Sequence, residues 1–227
     1  MTTLVGIVAR KEKPGVVLAS DISRTQTSWQ AQGDVAYRQQ TRSEGQKIHI
    51  SDDKRLAICM SGIFDQLYVN FLSGVLSGKV DVEKAIAEGK FDDLKQLNES
   101  RWGGRVPNNE EINGLLLAVR FGGMPKLYTC YPLGYIEERE WTSVGSGSGY
   151  ALNHIVKQGK LIPHYLTVPE AIWLAKSSLD EAAQDIYTGG LDIAVVTPED
   201  IEGFGELIRK NVSSIQNKTI EEISQKY

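Results

Sequence analysis

Apolar residues in this chain gather into short blocks separated by turn residues and charge. Thr3–Ala9 and Gly15–Ser20 are nearly continuous apolar runs, which read as buried strands. Arg10-Lys11-Glu12-Lys13-Pro14 between them leads into turn chemistry, so the pair predicts a β-hairpin. The polar stretch from Gln26 to Gln46 has no clean period and predicts no element. Lys47–Ser51 and Leu56–Ser61 predict a second strand pair around Asp52-Asp53-Lys54-Arg55, ended by Gly62. Phe64, Leu67, Tyr68, Phe71, Leu72 and Val75 recur at helical spacing and predict a helix over Phe64–Leu76. Val82–Asn98 is weakly helical, and Glu99–Glu111, with Trp102-Gly103-Gly104, reads as a loop.

Ile112–Phe121 and Lys126–Tyr131 predict a further hairpin around Gly122-Gly123. Ile136–Val144 reads as one strand running into Gly145-Ser146-Gly147-Ser148-Gly149, with a helix from Tyr150 to Lys157. Thr167 with Glu170 three residues on is a capping box, opening a long helix that reaches Tyr187. Leu191–Thr197 is the last predicted strand, and Pro198–Tyr227 a charged, mainly helical tail. Hairpins outnumber crossovers, so the fold class is α+β, with antiparallel sheets and helices packed outside, in one domain over 1–227.

Composition narrows the function. The chain has 227 residues, 41% of them hydrophobic, and a formal charge of −4. That suits one large soluble domain. Mild acidity argues against nucleic acid as a partner. No apolar run approaches the roughly 20 residues that cross a bilayer. No basic region precedes an apolar stretch at the N-terminus, so the expectation is a cytoplasmic chain with no membrane partner. Cys59 and Cys130 make no disulfide framework and are expected as buried free thiols. His49, His154 and His164 lack metal-ligand spacing, and neither metal nor cofactor is expected.

Candidate chemistry begins at Met1-Thr2-Thr3. Initiator methionine is removed when a small residue follows, which leaves Thr2 first. An N-terminal threonine holds a hydroxyl nucleophile and, on the same residue, an amine to act as its base. The motif is weak alone. Lys47 by itself is an ordinary strand-end lysine and Asp21 an ordinary turn residue. Gly145–Gly149 lacks the Gly-Lys-Ser/Thr ending of a phosphate loop. Asp185 near a helix C-terminus is electrostatically misplaced, a small sign of function.

Taken together these segments resemble a family. Thr2-Thr3-Leu4-Val5-Gly6-Ile7 with Gly15-Val16-Val17-Leu18-Ala19-Ser20-Asp21 is similar to the opening of proteasome β subunits, as is Gln46-Lys47-Ile48. Val144-Gly145-Ser146-Gly147-Ser148-Gly149-Tyr150-Ala151-Leu152 resembles that family's glycine-serine loop, and Asp185-Ile186-Tyr187-Thr188-Gly189-Gly190-Leu191-Asp192 its late aspartate segment. The resemblance implies a four-layer α-β-β-α sandwich of the N-terminal-nucleophile hydrolases. It implies Thr2 as nucleophile, Lys47 against its hydroxyl and Asp21 paired with Lys47. Ser146, Asp185 and Thr188 would orient the amine, with Thr188 standing where the family usually has serine. Gly62 would offer its N–H to the oxyanion, and Thr25 and Met60 would border the substrate groove.

The implied activity is a threonine endopeptidase acting on peptides or unfolded protein inside stacked rings. Implied partners are further copies of the chain, α-type ring subunits and an ATPase. The chain departs from the pattern in its longer Thr25–Lys47 segment and in having only Met1 ahead of Thr2. Two alternatives remain at this point: a connectase-like peptide ligase using the same Thr2, and a non-catalytic structural ring subunit. Presence of Thr2, Asp21, Lys47, Ser146 and Asp185 together argues against the second, since an inactive subunit has no chemical need of them.

Overall fold

The structure, a computed structural model, describes residues 2–32, 35–62, 64–103, 114–158, 165–184, 190–210 and 216–227, with side chains for all of these except 23–44, 209–210 and 216. In chain order the first half contains β1 (Thr3–Ala9), β2 (Gly15–Ser20), β3 (Ser23–Gln32), β4 (Val35–Glu44), β5 (Ile48–Ile50) and β6 (Leu56–Ser61), then α1 (Gln66–Leu76), α2 (Val82–Glu88) and α3 (Asp92–Trp102). The second half contains β7 (Gly114–Val119), β8 (Lys126–Cys130), β9 (Ile136–Arg139), β10 (Trp141–Gly145), α4 (Ser148–Lys157), α5 (Val168–Ala182), β11 (Asp192–Val196), β12 (Ile201–Gly203), α6 (Gly205–Lys210) and α7 (Gln216–Ser224).

Two five-stranded antiparallel sheets carry the fold, ordered β10-β1-β2-β11-β12 and β5-β6-β7-β8-β9. Alternation of side chains along a strand sorts each run into two faces. Leu4, Val8, Val16 and Leu18 of the first sheet face Ala57, Cys59, Leu116, Ala118 and Leu127 of the second. Their neighbours Val5, Ile7, Val17 and Ala19 pack outward on Ile155 of α4 and Ile172, Ala175 and Leu179 of α5. The second sheet turns Leu56, Ile58, Leu115 and Leu117 toward Tyr68, Phe71 and Leu72 of α1 and Leu94 and Leu97 of α3. Both sheets are therefore buried on both faces, which explains runs that are apolar throughout rather than alternating. The result is the expected α+β sandwich in four layers, α-β-β-α.

Several elements differ from the sequence reading. The weak helix over Val82–Asn98 is two helices, broken where Gly89 takes φ 66°. The α3 helix continues to Trp102, inside the expected loop. The run Ile136–Val144 is two strands in different sheets: β9 pairs with β8, and β10 pairs with β1. The chain crosses between sheets at Glu140, whose carbonyl accepts from the Val8 N–H at 2.8 Å. The α1 helix starts at Gln66 with Asp65 as its N-cap, and leaves Phe64 and Leu67, expected on the buried face, 50% and 45% exposed. Within the polar Gln26–Gln46 stretch, β3 and β4 pair residue for residue from Ser23↔Glu44 to Gln32↔Val35, as a ribbon separate from both sheets. A ribbon without an apolar face gives hydrophobic periodicity nothing to detect. Cys59 and Cys130 are free and buried as expected, and burial raises both thiol pKa values well above the usual range.

The gap between the sheets sets a stability test. Leu116 is fully buried there, and Leu116→Ala is expected to cost about 2–5 kcal/mol in chemical denaturation. Leu133→Ala, at a side chain 54% exposed, is expected to stay within about 0.5 kcal/mol of wild type.

Candidate active site

The site lies at one end of the seam between the two sheets. Thr2 directly precedes β1, the strand between β2 and β10. Asp21 directly follows β2, and Lys47 directly precedes β5 in the facing sheet. The β1–β2 register, with Leu4 opposite Ser20, brings Asp21 beside the start of β1. There the Asp21 N–H donates to the Thr3 carbonyl at 3.1 Å. The Thr3 N–H returns a bond to Asp21 Oδ1 at 2.6 Å.

Lys47 reaches across the seam. Its Nζ donates to Asp21 Oδ2 at 2.9 Å and to Thr2 Oγ1 at 2.7 Å. Thr2 and Lys47 are each 7% exposed, and Asp21 is fully buried. A buried ammonium is tolerated only with an anion and hydrogen bonds about it, and Asp21 is that anion. The arrangement holds a positive charge on the Thr2 hydroxyl oxygen, which favours any developing alkoxide there.

The glycine-serine loop closes over Thr2 from the other side. The Ser146 N–H donates to the Thr2 carbonyl at 3.0 Å, and the Gly147 N–H to Thr3 Oγ1 at 3.1 Å. Gly145, opposite Thr3 in the register, has φ 111°, and a Cβ there would stand 1.7 Å from the Thr2 carbonyl oxygen. Only glycine fits, for conformation and for space. A Cβ on Gly147 would lie 2.4 Å from Thr3 Oγ1. These glycines, read from the sequence only as a loop, fix the main chain of the threonine.

The structure thus brings Thr2, Asp21, Lys47 and the Ser146 backbone together. Gly62 follows β6 as an exposed residue with φ 112°. Met60 is 7% exposed and packs in the outer cluster between the second sheet and its helices. Thr25 lies on β3, where backbone alone is described. Asp185 and Thr188 lie outside the described residues. One residue not singled out from sequence joins the site: Asp192, 1% exposed, whose Oδ2 accepts from the backbone N–H groups of Lys47 and Ile48. Its signal was a carboxylate at the head of an otherwise apolar strand, since a buried acid must find donors. Among the described residues no three His, Cys, Asp or Glu side chains cluster as a metal site would, and no helix is long and apolar enough to cross a membrane.

The loop geometry gives a test independent of activity. Gly145→Ala is expected to destabilise the fold by at least about 1–3 kcal/mol, from the forced backbone and the displaced Thr2. Gly149→Ala, where a Cβ meets nothing within 4 Å, is expected to change stability by under about 0.5 kcal/mol. Denaturant titration of both variants makes the comparison.

Residues 112–196 match the family model described as "Proteasome subunit". The chain is 38% identical over 100 residues to proteasome subunit beta 1 of Nitrosopumilus maritimus (strain SCM1), an alignment covering 42% of this chain and 49% of that protein. It is 36% identical over 80 residues to proteasome subunit beta of Haloquadratum walsbyi (strain DSM 16790 / HBSQ001), covering 34% of this chain and 32% of that protein. The alignments therefore span about half of one relative and a third of the other. Joined to the four-layer sandwich and to the order of its sequence segments, these likenesses support the proteasome β-type subunit family for this chain.

Proposed function

We propose that the chain is a threonine peptidase whose nucleophile is the hydroxyl of Thr2, freed by removal of Met1. The observation that carries this reading is the Lys47 Nζ at 2.7 Å from Thr2 Oγ1 and 2.9 Å from Asp21 Oδ2, all nearly closed to solvent. In the mature chain the Thr2 amine takes the hydroxyl proton as Oγ1 attacks a peptide carbonyl. Lys47 steadies the oxygen losing that proton, and the Gly62 N–H donates to the carbonyl oxygen as it becomes an oxyanion. The amine then gives the proton to the departing peptide amine, leaving an ester on Thr2. Water, with the amine again as base, releases the second product. The role of Ser146 is to hold the Thr2 main chain, with Asp185 and Thr188 completing the surroundings of the amine. Thr25 borders the groove on this reading, and Met60 packs beneath the helices of the second sheet.

The test is covalent. The purified chain is exposed to a peptide epoxyketone and its intact mass measured. The expected result is a chain beginning at Thr2 that gains one inhibitor mass, with none gained by Thr2→Ala. Retained Met1 and no adduct would reject the reading. Lys47→Ala is expected to slow adduct formation by roughly 100- to 10,000-fold. That variant also leaves Asp21 buried without its cation, a change that costs about 3–5 kcal/mol, so a melt accompanies the rate.

The same reading extends to assembly. Phe64, just before α1, and Leu67, in its first turn, are both exposed large apolar side chains. We propose that such surface is covered by neighbouring copies in a closed ring joined head to tail, with α-type subunits and an ATPase as further partners. Native mass spectrometry is expected to show multiples of the 25.1 kDa subunit. A stable monomer that still processes peptides would reject the ring and favour a ligase-like enzyme acting alone.

A further inference from the structure

Asp192 is a buried carboxylate to which the mechanism above gives no step. It opens β11 in the first sheet, directly opposite Ser20 of β2 and so beside Asp21. It is 1% exposed. Its Oδ2 accepts from the backbone N–H groups of Lys47 and Ile48, each at 3.3 Å. Lys47 directly precedes β5 of the facing sheet and Ile48 begins it. The carboxylate therefore ties one sheet to the other across the seam, at the residue whose side chain crosses that seam in the opposite direction.

Its other flank is equally constrained. A Cβ on Gly205, at the start of α6, would lie 2.1 Å from Asp192 Oδ1 and 2.8 Å from its Cγ. Gly205 has no positive φ to require glycine, so the demand at that position is space for the carboxylate. Bonds of 3.3 Å are long for backbone donors. Charge on the acceptor and the absence of a side chain on Gly205 together make them effective.

We propose that Asp192 is a positioning residue for the Thr2 reaction. It fixes the main chain of Lys47 so that Nζ reaches Thr2 Oγ1 and Asp21 Oδ2 together. The inference rests on the reading of Thr2 as nucleophile. A flexible four-carbon stem does not place an ammonium by itself, and a displacement of about 1 Å at a catalytic group can cost on the order of 100-fold in rate. Asp21 restrains the tip of Lys47; Asp192 restrains its root.

The test measures the rate of adduct formation by a peptide epoxyketone on the full mature chain, as a function of pH. Asp192→Ala is expected to slow labelling by about 10- to 100-fold. Asp192→Asn, which keeps an acceptor oxygen in place, is expected to recover most of that loss. Gly205→Ala keeps every charge and pushes on the carboxylate. It is expected to slow labelling by about 10-fold and to move the acid limb of the rate profile to higher pH. The sign follows from the Lys47 charge held against Thr2. Among the described residues the groups around Lys47 are Asp21 at the end of β2 and Asp192 on β11, with the neutral thiol of Cys59 on β6 near Lys47 and Asp192. A Lys47 ammonium drawn away from the Thr2 amine lets that amine protonate more readily.

A purely structural loss would lower the amplitude and leave the limb where it was. Asp192→Ala labelled within twofold of wild type overturns the inference. If that variant does not fold, Gly205→Ala decides, and an unchanged rate and profile overturns it equally. A wild-type chain that takes no label at any pH would instead sink the reading of Thr2 itself.

Discussion

Lys47 and Asp21 stand 2.9 Å apart, with 7% and 0% of their side chains exposed. Removing either charge from water costs several kcal/mol, and their attraction offsets that only when geometry and remaining hydrogen bonds are good. The surrounding architecture meets those conditions. Asp21 Oδ1 is occupied by the Thr3 N–H and Oδ2 by the ammonium. The ammonium in turn finds the Thr2 hydroxyl. Each of these groups sits just outside the end of a strand. Strand interiors have their backbone groups committed to the ladder, whereas strand ends have N–H and C=O groups to spare. The ion pair therefore belongs at the rim of the sandwich, where it holds the Thr2 hydroxyl.

Holding two sheets at a common rim requires close approach, and the small residues mark where it happens. A Cβ on Gly6 would lie 2.7 Å from Leu127 Cδ1 across the gap. The absence of a side chain there lets β1 settle onto β8 and brings Thr2 down to the level of Lys47. Gly145 and Gly147 do the same from the β10 side. The stabilisation comes from the apolar cluster between the sheets. The precision comes from a few polar contacts at its edge. Burial is tolerant of modest changes in shape, while a 2.7 Å contact is not. The two tasks are accordingly separated in space.

Much of this was legible in sequence, for stated reasons. Strands buried on both faces appear as continuous apolar runs, so β1, β2, β6, β7, β8 and β11 were readable. The capping box at Thr167 announced α5, and both of its reciprocal bonds are present. Thr2, Asp21 and Lys47 were found through resemblance, because each is unremarkable in its local sequence and acquires meaning only when the strands converge. The change of sheet at Glu140 left no local trace, since β9 and β10 are both short and extended and differ only in which partner they meet. The β3–β4 ribbon was invisible for the opposite reason: its residues pair through backbone, and side-chain hydrophobicity is silent about that. Asp192 closes a segment that resembles the family, but between Leu191 and Ile193 its pattern alone reads as core and assigns it no role. A carboxylate in such a setting was the clue.

The family-model match and the contacts among Thr2, Asp21 and Lys47 come from different halves of the chain. The family match covers residues 112–196, whereas Thr2, Asp21 and Lys47 all precede it. The two halves meet only through the fold. The matched half contributes β10 and β11, which flank β1 and β2 in the first sheet. It also contributes the loop that grips the Thr2 carbonyl and the carboxylate that binds the Lys47 backbone. A chain related to these subunits in its second half alone would have no physical reason to bury a lysine against a threonine in its first. Here the lysine is buried, its anion is buried with it, and the second half supplies a donor to the Thr2 carbonyl and an acceptor to the Lys47 N–H. The two halves are complementary at the level of single hydrogen bonds, which is the condition for one site built from distant segments.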